Sequence, residues 1–117
     1  MNKPAWVTND TLWLQHCADV VISATKVLEA SGSLTENARA LSTLGYQLRA
    51  SRSTAFSVFR NLASETQHFP VGIFRSSWSS KALPSVDAER ALIEARFNRN
   101  AADAANSLIA AYGNQSK

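Results

Sequence analysis

Apolar positions along the chain recur at three- and four-residue spacing, the period of an amphipathic helix. The first such run places Trp13, Cys17, Val20, Val21, Ala24 and Leu28 on one stripe. It opens on Thr8 and Asn9, both N-cap types, and on Asp10, whose charge suits the positive end of a helix. The spacing predicts a helix of about 22 residues here, stopped by Gly32. A second start follows at Ser33-Leu34-Thr35-Glu36, which reads as a capping box. From there Leu34, Leu41, Leu44, Leu48, Ala55, Phe59 and Leu62 stay within about a quarter of the helical circumference. The pattern therefore predicts one long helix from Leu34 to Glu65, with the polar run Ser51-Arg52-Ser53-Thr54 as the place where it would break. Gly45 either weakens that helix locally or lets a neighbour approach closely.

From Thr66 to Pro84 the periodicity stops. Phe69-Pro70-Val71-Gly72 is a turn with breakers, and Leu83-Pro84 closes the segment. Ile73, Phe74 and Trp78 fit one short helix between them, with the aromatics of the segment plugging the bundle end. Ser85 then caps a further helix, with Asp87 and Glu89 in its first turn and Ala88, Ala91, Leu92, Ala95 and Phe97 among its apolar residues. The next stripe, Ala101, Ala105, Leu108 and Tyr112, is rotated well away from Leu92. A kink or break is expected at Asn98-Arg99-Asn100, with a last helix ending at Gly113.

The elements add up to an all-α fold, a single antiparallel bundle of about four helices with one short extra helix or ordered loop near residues 66–84. One domain fills residues 1–117, with residues 1–7 and 114–117 expected as flexible ends. Composition agrees. Four Gly and three Pro supply too few turns for an all-β fold, and no strand-like runs alternate with the helices. A single cysteine, Cys17, permits no internal disulfide and favours a reducing compartment. The opening residues lack the apolar core of a secretory signal, and no stretch reaches the roughly 20 apolar residues that span a bilayer. A soluble cytoplasmic protein with no membrane partner is expected.

Charge changes the picture once it is placed. The net charge is only +3, but residues 37–86 carry Arg39, Arg49, Arg52, Arg60, Arg75 and Lys81 against Glu65 alone. Residues 1–36 are net acidic and residues 87–117 are balanced. On a continuous helix Arg49, Arg52 and Arg60 fall within about 80° of one another, with Arg39 at the edge and Tyr46, Ser53, Phe56 and Ser57 among them. Guanidinium groups pair bidentately with phosphate, hydroxyls bond to it, and aromatic rings stack on bases. Arg75 and Lys81, interleaved with Phe74 and Trp78, extend that surface. The competing reading is a solvated or internally paired helix face.

Little here suggests catalysis. His16 and Cys17 are adjacent and diverge by about 100° on a helix, so they cannot form a thiolate–imidazolium pair. Cys17 lies on the apolar stripe as a small core residue, and His16 can meet Asp19 at three-residue spacing. His68, at the end of the long helix, suits a C-terminal cap. Arg60 and His68 invite comparison with metal-independent ribonucleases that pair Arg and His late in a helix, but the seven intervening residues exceed that motif's spacing. Two His and one Cys make no metal site, and there is no phosphate loop or nucleophile elbow.

The expectation is a non-enzymatic accessory protein, without cofactor or metal, that binds nucleic-acid backbone within a larger assembly. Arg49, Arg52 and Arg60 would contact phosphates, helped by Arg39, Arg75 and Lys81, with Phe56 or Trp78 stacking. In architecture and charge alone the chain resembles the small helical subunits of nucleoprotein complexes such as CRISPR surveillance complexes. The alternative is a protein-binding adaptor or inhibitor anchored by Trp6, Trp13, Phe74 and Trp78. Homo-oligomerisation through the Ala-rich last helix is a third course.

Overall fold

The computed structural model describes residues 3–114, apart from the side chains at 72 and 73. Four α-helices, α1 (Asp10–Leu28), α2 (Leu34–Gln47), α3 (Thr54–Glu65) and α4 (Leu83–Tyr112), are joined by short turns and one 3-10 helix (Gly72–Ser77). Among the described residues there is no strand. α1 packs against α2 and α4, and α3 packs against the same two helices. The bundle is thus a closed square, with an α1–α4 layer lying over an α2–α3 layer. Cys17, Val20, Leu41, Phe56, Phe59, Leu62, Ala105 and Leu108 fill the space between them.

Local chemistry sets the helix ends. Asn9 caps α1 by accepting the Leu12 N–H at 3.0 Å. The helix stops at Ala30, which takes a left-handed conformation (φ 53°) while the Ser31 N–H reaches back to the Lys26 carbonyl, two residues before the expected Gly32. Ser33 caps α2 through the Glu36 N–H, but Glu36 does not close the box. A carboxylate from α4 satisfies another free donor of the same first turn. Glu94 accepts the Thr35 N–H at 2.9 Å and the Thr35 hydroxyl at 2.8 Å, where Thr35 is fully buried.

The single long helix expected from Leu34 to Glu65 is two helices folded back on each other. Leu48 ends α2, Arg49 turns left-handed (φ 54°), and the Ala50 N–H bonds to the Gly45 carbonyl, which is the geometry of a Schellman stop. Ser53 then caps α3 by accepting the Phe56 N–H. The apolar stripe keeps its phase across the turn because both helices face one core from adjacent sides. Gly45 serves close approach: a Cβ there would stand 2.9 Å from the Phe56 ring.

The break expected at residues 98–100 is absent, and α4 runs unbroken for 30 residues. Its two stripes do not both need a core. At about 1.5 Å per residue the helix is some 45 Å long, close to the 50 Å length of the whole molecule. Ala101, Ala104, Ala105, Leu108 and Tyr112 are buried, whereas Ala88, Ala91, Leu92 and Ala95 are exposed. Pro84 stands in the first turn after Ala82, so Ser85 is not the cap.

The short helix expected in the 66–84 segment is present as the 3-10 helix Gly72–Ser77, whereas the N-terminal residues and the aromatics of that segment depart from expectation. Residues 3–7 are docked rather than flexible. Trp6 and Val7 pack against the core, the Val7 N–H bonds to the Pro4 carbonyl, and Lys3 pairs with Asp10 at 2.6 Å. Residues 1–2 and 115–117 of the expected flexible ends lie outside the described residues. In the middle segment Phe69 and Pro70 are buried, but Phe74 and Trp78 face solvent and plug nothing.

Candidate nucleic-acid interface

The hairpin formed by α2 and α3 contains no Asp or Glu between Glu36 and Glu65, yet it carries Arg39, Arg49, Arg52 and Arg60. The fold does not hold these four alike. Arg39 is half-buried and donates to the carbonyls of Thr66 and Phe69, the latter at 3.0 Å. It closes the C-terminal end of α3 and fixes the following turn, so its guanidinium is largely committed. The task expected of His68 falls to Arg39; the His68 ring instead lies against Phe69, with centroids 4.1 Å apart.

Arg49, Arg52 and Arg60 are exposed, and among the described residues no carboxylate lies within 4.0 Å of any of them. Arg49 lies over the Trp6 ring at 4.7 Å from its centroid, an attraction between cation and ring face. Arg49 and Arg52 border an open depression of about 540 Å³ at the α2–α3 turn, with Tyr46, Ser51 and Ser53. Arg60 and the stem of Arg39 line a second groove, between the helices, together with Ser42, Thr43, Ser64 and Gln67. The single cationic face expected on a continuous helix is thus two patches with no lining residue in common. One sits on the turn and one between the helices.

Three of the four arginines outside the hairpin are ion-paired; Arg99, exposed on α4, has no carboxylate within 4.0 Å among the described residues. Arg75 grips Asp87 with two bonds of 2.6 and 2.8 Å, Arg90 stands 3.7 Å from Asp87 and 3.9 Å from Glu94, and Arg96 pairs with Glu65 at 3.2 Å. The hydrogen bond from Arg75, more than its charge, holds the Asp87 carboxyl below the usual carboxylate range and raises the guanidinium in turn. Arg75 therefore joins the 3-10 helix to α4 rather than extending the cationic surface. Lys81 is exposed in the turn before α4 and lines neither depression of the hairpin.

The expected stacking residues change as well. Phe56 is 1% exposed and edge-on to Tyr112, with centroids 5.9 Å apart, so no base can reach it. Tyr46, 74% exposed beside Arg49 and Arg52, is the ring on this surface that a base can reach. Of the aromatics expected to anchor a protein partner, Trp13 is in the core and Trp6 is half-buried beneath Arg49. Phe74 and Trp78 remain exposed. The hydroxyls and amide of the groove, Ser42, Thr43, Ser64 and Gln67, were not singled out from the sequence; the first three lie in the acid-free run from 37 to 64, the signal that pointed to them, and Gln67 lies beyond it.

Groups with catalytic chemistry are dispersed. Cys17 is fully buried, and burial pushes its thiol up. Asp19 accepts from Gln15 at 2.9 Å rather than from His16. Among the described residues no three His, Cys, Asp or Glu side chains gather as metal ligands, and no helix is long and apolar enough to cross a membrane. Comparison with known proteins gives no match to a family model, a curated protein or a solved structure.

Proposed function

We propose that the protein is a non-enzymatic binding protein that grips nucleic-acid backbone through the outer face of its α2–α3 hairpin. One observation carries the reading. Three arginines, Arg49, Arg52 and Arg60, stand exposed and without a carboxylate partner on a hairpin that has no acid between residues 37 and 64, while Arg75, Arg90 and Arg96 elsewhere are ion-paired and, among the described residues, Arg99 on α4 is the other exposed arginine without one. Unneutralised guanidinium groups flanked by hydroxyls fit a run of phosphates, and such contacts position a backbone without reading its sequence. Tyr46 supplies a ring for stacking on an unpaired base, which favours single-stranded or frayed segments. The N-terminus of α3, with no acid in its first turn, adds its partial positive charge at the same turn.

The surface is small for a protein that works alone, so the proposal places it within a larger nucleoprotein assembly. It also places the protein in the cytoplasm, where a lone free thiol suits the reducing environment. The test is binding of a fluorescent single-stranded oligonucleotide and of a duplex by wild type and by Arg49→Glu/Arg60→Glu. The reading predicts a loss of about tenfold or more in the charge-reversed variant. Full binding by that variant sinks it. Wild type that ignores both oligonucleotides but loses a protein partner on Trp78→Ala would favour the exposed Phe74 and Trp78 as the working surface instead.

A further inference from the structure

Arg49 borders more than the α2–α3 turn. It also lines a pocket of about 170 Å³ formed by the docked N-terminal segment, the first two turns of α1 and the end of α2. Two indoles, Trp6 and Trp13, line the same pocket. Trp13 is anchored in the core, and Trp6 packs against that core beneath the Arg49 guanidinium, 4.7 Å from its ring centroid. Both rings are therefore in place before a ligand arrives, which lowers the cost of binding one. Flat apolar walls alone would accept any small ring, and the polar lining narrows the choice. His16, Gln47 and Asn9 complete it. Among the described residues no hydrogen bond or ion pair engages the side chains of His16 or Gln47. Asn9 uses its side-chain oxygen to cap α1, which leaves its amide donors free. Imidazole and carboxamide groups set donors and acceptors side by side, the complement of the edge of a nucleobase. No carboxylate lines the pocket, so an amine would find no countercharge there. Size limits the ligand further: the volume lies below the roughly 300 Å³ at which pockets for drug-sized molecules begin, and it suits one flat ring system.

We propose that this pocket receives one nucleobase of the single strand whose phosphates Arg49 and Arg52 hold at the turn. The proposal rests on the backbone-binding reading and adds to it a site for a base. Arg49 is the link, because it lines both the pocket and the depression at the turn. One nucleotide can thus set its phosphate on that guanidinium and its base between the indoles, with Gln47, His16 and Asn9 at the base edge. Tyr46 lines the depression and not the pocket, so it serves a neighbouring base. A paired base cannot enter, since its edge is already occupied by its partner, and the pocket therefore selects single strands over duplex.

Tryptophan fluorescence of the full chain carrying Trp78→Phe, which keeps Trp6 and Trp13 as its indoles, tests this with two probes. One is a short oligodeoxyadenylate, the other an abasic strand of the same length and charge. The adenylate should quench the emission and bind at least about tenfold more tightly than the abasic strand, which should leave the emission unchanged. His16→Ala/Gln47→Ala alters two side chains without hydrogen bonds, so helical circular dichroism should stay intact. That variant should lose about tenfold in affinity for the adenylate and nothing for the abasic strand. Arg52→Glu/Arg60→Glu touches no wall of the pocket and should weaken both strands alike. Adenosine monophosphate should bind at least about a hundredfold more weakly than the adenylate strand; equal affinity would make a free nucleotide the ligand and overturn the strand as its source. Equal binding of the two strands with unchanged emission overturns the base pocket and leaves the backbone reading standing, as does an adenylate affinity that His16→Ala/Gln47→Ala leaves intact. Quenching by the adenylate that Arg52→Glu/Arg60→Glu does not weaken overturns the backbone reading instead.

Discussion

Gly45 and Arg49, four positions apart in the sequence, show how single residues build the hairpin. Gly45 lies in a helix, where Ala would ordinarily gain about 1 kcal/mol. Here a Cβ would press on the Phe56 ring at 2.9 Å, and that ring is held edge-on by Tyr112. Overpacking should win: Gly45→Ala is predicted to cost about 1–3 kcal/mol in urea denaturation. A stabilised variant would show that Phe56 has room to move. Arg49 occupies a left-handed position that Gly fills more cheaply, by about 1 kcal/mol. Its contact with Trp6 offsets about 0.5–1 kcal/mol. Arg49→Gly should therefore leave stability nearly unchanged while weakening binding to an oligonucleotide, which separates the residue's two roles in one variant.

Between elements, two carboxylates of α4 hold distant parts together. Glu94 satisfies both the backbone and the hydroxyl of buried Thr35 at the start of α2. Glu94→Ala strands those donors and is predicted to destabilise the protein by about 1–3 kcal/mol. Asp87 ties the 3-10 helix to α4 through Arg75. Because its carboxyl is held below the usual range, this link is fully formed above the unfolded value near 3.9 and is lost as pH falls through the lower folded value. Amide exchange in residues 72–90 should therefore rise in acid before that of α1, and Asp87→Asn should abolish the difference. Helix identity was legible from periodicity and caps, down to Asn9 and Ser33. The α2–α3 turn was legible only as a polar interruption, because the stripe keeps its phase when a hairpin replaces a straight helix. The α4 break was misread for the opposite reason: a helix that outruns its neighbours can turn Leu92 to solvent, and no local pattern reveals how far the neighbours extend. Glu94 reaches Thr35 across 59 residues of sequence, a pairing that spacing cannot display.

As a whole the molecule is uneven in charge, with a cationic α2–α3 hairpin that has no acid between Glu36 and Glu65. The charge excess was visible once it was divided along the sequence. Its sorting into free and committed arginines was not, since Arg39 and Arg75 look like Arg52 until their carbonyl and carboxylate partners are known. The central claim is that Arg49, Arg52 and Arg60 neutralise phosphates, and the salt dependence of binding reads that number directly. Titration of an oligonucleotide across a range of sodium chloride should give log K falling against log salt with a slope of about −2 to −3. Each of Arg49→Gln, Arg52→Gln and Arg60→Gln should reduce its magnitude by roughly one. A slope near zero, or one that the three substitutions leave unchanged, would contradict the account.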